Sequence, residues 1–222
     1  YFAITLIPLL FAYLAAKERG IGRRALHLLI PLAMIATYQG YMWVTYGQNP
    51  FGEVAAYALE SRASTGTGLA LKLKIGLLFL GGSFFSALFY ALLLWSRRTL
   101  AIASGAFGLT ALFVANSDAI GLLTLRDADG VRWSVVAQVV LSLACAVQVF
   151  ALAAVDLERR RDASAVLLSL WLVGVFVFAA FINWTLNARV LLPALPAVAI
   201  LIARRIADHT RDRTTQDPAT ED

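Results

Sequence analysis

Charge is scarce in this chain. Only 15% of its 222 residues are Asp, Glu, Lys or Arg, against 60% hydrophobic. A soluble domain carries about 25% charged residues. With a mean hydropathy of +0.74, the composition argues against a soluble globular fold. Histidine occurs twice and cysteine once. One cysteine excludes an internal disulfide, and Cys145, inside an apolar run, reads as a small packing residue. No group of residues has metal-ligand spacing, no glycine-rich loop suits a nucleotide, and no Ser-His-Asp set is evident. Neither a metal nor a cofactor is expected. No period of 20–50 residues repeats, so a solenoid is not expected.

What is abundant is apolar sequence in runs of about 20 residues, the length that crosses a bilayer as a helix. The expected fold is all-α, a polytopic transmembrane bundle of about seven spans. They fall at about 1–16, 25–46, 73–95, 99–116, 133–155, 163–182 and 190–203. Residues 1–206 form the membrane domain, with an outer loop at 47–72. Residues 207–222 form a polar, disordered cytoplasmic tail. Tyr41, Trp43 and Tyr46 make an aromatic belt at one end of the second span. Phe51, Val54, Ala55, Ala58 and Leu59 follow helical spacing, which predicts a short helix on the outer surface. Gly81-Gly82-Ser83 and the Gly105/Gly108 pair predict close helix packing. The chain opens on Tyr1-Phe2-Ala3-Ile4, without Met or a charged leader. It reads as the C-terminal part of a longer protein or as a processed product.

The basic residues orient the bundle. Lys17, Arg19, Arg23, Arg24, Arg97, Arg98, Arg159, Arg160, Arg161, Arg204, Arg205, Arg211 and Arg213 share one side. Arg62, Lys72, Lys74, Arg126, Arg132 and Arg189 share the other. The positive-inside rule makes the richer side cytoplasmic, with the N-terminus outside. The net charge of +5 serves this topology, and no nucleic-acid partner is expected.

One polar cluster stands out, Asn183-Trp184-Thr185-Leu186-Asn187-Ala188-Arg189, leading into an apolar segment with Pro193 and Pro196. Fifteen helical residues separate Arg189 from Arg204, a rise of roughly 22 Å against a bilayer core of about 30 Å. Arg204 and Arg205 can snorkel to the inner surface. Arg189 then lies at or just below the outer boundary, where a charge is costly and faces protein, water or an anion. It is either a cation for a phosphate or pyrophosphate or an interfacial anchor. Asn183, Trp184 and Asn187 are candidate sugar or headgroup contacts, with Trp184 equally readable as a belt residue. Asn183-Trp184-Thr185 also matches a glycosylation pattern, pressed against a span. The outer acids Glu53, Glu60, Asp118, Asp127 and Asp129 are candidate bases or solvated loop charges. His27 and His209 lie on the opposite side.

The Asn-Trp-Thr-x-Asn-x-Arg-x-Leu-Leu-Pro-x-x-Pro arrangement at 183–196 resembles the C-terminal membrane region of GT-C glycosyltransferases. The nearest group is that of protein O-mannosyltransferases and aminoarabinose transferases. Residues 72–83, a basic end followed by a span with Gly-Gly, are similar in a less specific way. The resemblance implies an integral membrane enzyme that moves a sugar from a polyprenyl-phosphate donor to an acceptor on the outer face. It implies membrane lipid and that donor as partners, and a bacterial inner (plasma) membrane as the location. Arg189 would hold the donor-lipid phosphate. The family's catalytic acid belongs to a first outer loop and is assigned to no position here, so the catalytic residue is unknown. The rival reading is a transporter-like or non-catalytic membrane module, in which charges or broken helices sit near mid-membrane. Polar residues gathered at the outer face favour the enzyme reading.

Overall fold

A computed structural model describes residues 2–18, 23–47, 49–50, 52–53, 56, 60, 68–95, 97–116, 125–128, 130–183 and 187–216. Nearly all of these are helical. The first elements are α1 (Phe2–Glu18), a 3-10 stretch at Arg23–Leu28 and α2 (Leu29–Tyr46). Then come α3 (Leu69–Ser83), α4 (Ala87–Leu94), α5 (Arg97–Asn116), α6 (Trp133–Arg160) and α7 (Ala163–Val177). A π-helical turn, Phe178–Ile182, extends α7. It is followed by the short α8 (Ala188–Leu191), a 3-10 turn at Leu192–Ala194 and α9 (Leu195–Gln216). Two two-residue strands, β1 (Arg126–Asp127) and β2 (Gly130–Val131), pair antiparallel between α5 and α6.

Five helical segments are long and apolar enough to cross a membrane: Leu26–Tyr46, Arg97–Asn116, Trp133–Arg160, Ala163–Ile182 and Ala188–Asp212. The protein is therefore an all-α, multi-pass membrane protein. The two other expected spans take different forms. α1 is 17 residues long. The span expected at 73–95 is interrupted by a turn at residues 84–86 that separates α3 from α4. α9 continues helically through residues 207–216 of the expected tail. Most of the predicted surface helix, including Phe51, Val54, Ala55, Ala58 and Leu59, lies outside the described residues. Asn49 opens a helical turn there, its Oδ1 accepting from Gly52 N–H at 3.1 Å.

The core sits where α3, α4, α6, α7 and α9 meet. Leu80, Phe84, Cys145, Val149, Leu172 and Leu201 are among its fully buried members. A second cluster joins α5 to the start of α6 through Val114, Ala115, Val136, Val139 and Val140. On α6 the buried positions Val136, Val139, Val140, Ala146, Val149, Ala153 and Asp156, with partly buried Leu143 between Val140 and Ala146, recur at three- and four-residue steps. That is the stripe of a helix packed on one face. Lipid tails are as apolar as leucine, so close packing of small residues joins such helices. Gly81 supplies it: a Cβ there would fall within the backbone carbonyl of Ser142 on α6. At Gly76 it would stand 2.9 Å from the Ala180 Cβ in the π turn. By contrast α2 buries no residue, and its Val44 is 85% exposed. That side is apolar and suits lipid.

The α6–α7 connection shows why the chain reverses there. Arg161 adopts φ 48°, and its N–H donates to Leu157 O at 3.1 Å, closing α6. Asp162 then caps α7, its Oδ1 accepting from Ala165 N–H at 2.7 Å. Two residues suffice to turn two long helices antiparallel.

Candidate functional site

The turn between α7 and α9 carries the residues singled out in the sequence. The π-helical turn ends with Asn183 N–H donating to Phe178 O at 2.8 Å. Such bulges insert one extra residue and redirect the chain beyond them. Asn183 is extended and half-buried. Trp184 lies outside the described residues. Asn187 is exposed and caps α8, its side chain accepting from Val190 N–H at 3.2 Å. Arg189 is exposed in the same short helix, and two residues on, Leu191 is fully buried. Leu191 and Ala194 seat the segment against α3 and α7. The geometry thus brings Asn183, Asn187 and Arg189 to one turn. It gives Asn187 a structural duty, and among the described residues it gives the Arg189 guanidinium no polar partner.

Arg204, at the other end of the same helical segment, is in a different position. Its Nη1 donates to Asp156 Oδ2 at 2.9 Å, while Arg160 Nε donates to Asp156 Oδ1 at 3.0 Å. Arg160 Nη2 also reaches Asp208 at 2.8 Å. Asp156 is only 7% exposed. Both of its oxygens accept from guanidinium groups, which meets the hydrogen-bonding need of a buried carboxylate. Arg204 is therefore tied into a four-residue ionic lattice between α6 and α9.

A second buried polar feature lies at the α3–α4 break. The Cys145 thiol donates to Phe84 O at 2.9 Å, and Gln148 Nε2 donates to Ala87 O at 2.9 Å. Phe84 O also accepts from Ala87 N–H at 2.8 Å, so the thiol is a second donor there and ties α6 to the break. Gln148 is 4% exposed, and among the described residues its buried Oε1 has no partner, nor has Ser83 Oγ. Cys145 is a packing residue as expected from the sequence, and its thiol also links α6 to the α3–α4 turn.

The outer acids contribute less. Glu53 and Glu60 are exposed. Asp127 faces Arg132 at 3.8 Å, with both side chains about half exposed. Asp118 and Asp129 lie outside the described residues. Among the described residues, no group of three or more His, Cys, Asp or Glu is placed to hold a metal. The buried Gln148 and Asp156 were not singled out from the sequence. Asp156 had one signal, its i,i+4 spacing to Arg160, which puts both on one helix face. Comparison with protein-family models, with curated proteins and with solved structures finds no match to this chain.

Proposed function

We propose that this chain is the membrane part of a glycosyltransferase that takes a sugar from a polyprenyl-phosphate donor on the outer face of a bacterial inner membrane. In this reading α1 and the α3–α4 pair complete seven crossings. The observation that carries it is Arg189, an exposed guanidinium without a polar partner among the described residues. It is held on a short helix anchored by buried Leu191. A planar fork of donors fits a phosphate oxygen pair. As the sugar leaves, charge builds on the donor phosphate, and a fixed cation there lowers the barrier. Asn183, Trp184 and Asn187 would meet the sugar or headgroup. The acid that deprotonates the acceptor is assigned to no residue of this chain.

A second reading has its own observation. The broken α3–α4 span, with the buried and unpartnered Gln148 Oε1, has the form of a transport site near mid-membrane. It lacks a buried charge at that level among the described residues, which makes it the weaker account of the two.

Binding of undecaprenyl phosphate to the full chain in lipid nanodiscs separates them. Arg189→Ala should weaken binding at least tenfold, about 1.4 kcal/mol, the low end for a hydrogen bond to a charged group. Arg97→Ala, at an exposed basic position on the opposite side, should leave it unchanged. Equal affinity of the Arg189 variant and the parent protein would reduce Arg189 to an interfacial anchor.

A further inference from the structure

At the end of the bundle away from Arg189, α6 and α9 flank a small hollow, partly open to solvent. Its deeper wall is aliphatic: Leu152, Val155 and Leu201. Its mouth is cationic: Arg159 and Arg205, beside Asp156 and Asp208. The two acids are already committed. Asp156 accepts from Arg160 and Arg204, and Asp208 accepts from Arg160. Four arginines and two aspartates leave an excess of two positive charges. The excess resides on Arg159 and Arg205, which have no ion pair among the described residues. The lattice of Asp156, Arg160, Arg204 and Asp208 braces the two helices and fixes the spacing of the unpaired pair.

The order of these groups along the helices identifies the occupant. Apolar side chains lie toward the span and guanidinium groups one turn further out. A free anion would use only the cationic mouth. A phospholipid uses both, with upper acyl carbons along the half-buried Leu152 and Val155 and the phosphate on the arginines. Basic hollows between spans at a membrane surface suit anionic headgroups. We infer that the Arg159–Arg205 hollow binds the phosphate of an anionic phospholipid from the adjacent leaflet. This inference needs the membrane reading but not the glycosyltransferase one.

The test reconstitutes the full chain into vesicles of phosphatidylcholine containing a minor fraction of phosphatidylglycerol, followed by gentle extraction and native mass spectrometry of retained lipid. The parent protein should retain phosphatidylglycerol preferentially. Arg159→Gln/Arg205→Gln should lose about tenfold of that preference, and Arg97→Gln/Arg98→Gln should keep it. Excess inorganic phosphate should displace nothing. Absence of a preference in the parent protein would overturn the inference. So would an unchanged preference in the first variant, an equal loss in the second, or displacement by inorganic phosphate. If the double variant fails to fold, Arg159→Gln and Arg205→Gln are measured singly. Each should lose roughly threefold, and no loss in either overturns the inference.

Discussion

Two aspartates on the same ionic lattice differ in burial, and burial decides what each is worth. Asp156 is 7% exposed and holds two arginines, whereas the Asp208 side chain is 30% exposed and holds one. Removing a buried carboxylate leaves its cations unpaired in a poorly solvated place. The Arg160 and Arg204 side chains are 34% and 24% exposed, so water recovers part of the loss. Asp156→Ala should cost about 2 kcal/mol, and Asp208→Ala about 0.5 kcal/mol. Thermal unfolding in detergent reads both. Equal shifts for the two would mean that the lattice is solvated throughout. At this scale the sequence marked Asn187 and Arg189 through their neighbours in the chain. It did not mark Gln148 or Asp156, because burial of a polar side chain depends on what another helix brings to it. Gln148 meets Ala87 across 61 positions of sequence.

Helix contacts depend on which glycine faces a neighbour, and the sequence does not say which. Gly81 and Gly82 are adjacent, yet only Gly81 is pressed against α6. A Cβ at Gly82 would meet nothing closer than Ser142 Oγ at 4.0 Å. Gly81→Ala should therefore force α3 off α6, at about 3 kcal/mol or a failure to fold. Gly82→Ala should be neutral or slightly stabilising, since a helical glycine costs roughly 1 kcal/mol against alanine. Thermal melts of the two variants side by side check this, and similar melts would mean α3 and α6 are not in close contact. The expectation of close packing held for Gly81. Gly105 and Gly108 have nothing within 4 Å of an added Cβ. The long apolar helices themselves were legible, because twenty apolar residues leave the backbone no other way to satisfy its polar groups. The interruption of α3–α4 was not legible. Gly-Gly-Ser permits a break, but the contacts that tie it to α6, from Cys145 and Gln148, come from 61 residues away.

Across the whole molecule the polar groups separate into three levels. The Asn183–Arg189 turn lies at one end, the α3–α4 break within the bundle, and the Asp156 lattice at the other end. The proposed function requires the donor lipid to meet the first. In the proposed seven-span topology that turn lies outside, and five helical segments are long and apolar enough to cross a membrane. The most direct measurement is where a lipid phosphate lands. A polyprenyl phosphate carrying a photoreactive group on its first isoprene unit is mixed with the full chain in nanodiscs, irradiated, and the adducts mapped by peptide sequencing. Adducts concentrated within residues 183–196, and competed away by unlabelled polyprenyl phosphate, are the predicted result. Adducts absent from 183–196 and found instead at the 84–86 turn, at the Arg159–Arg205 end, or spread over the exposed faces of α2 and α5 would contradict it.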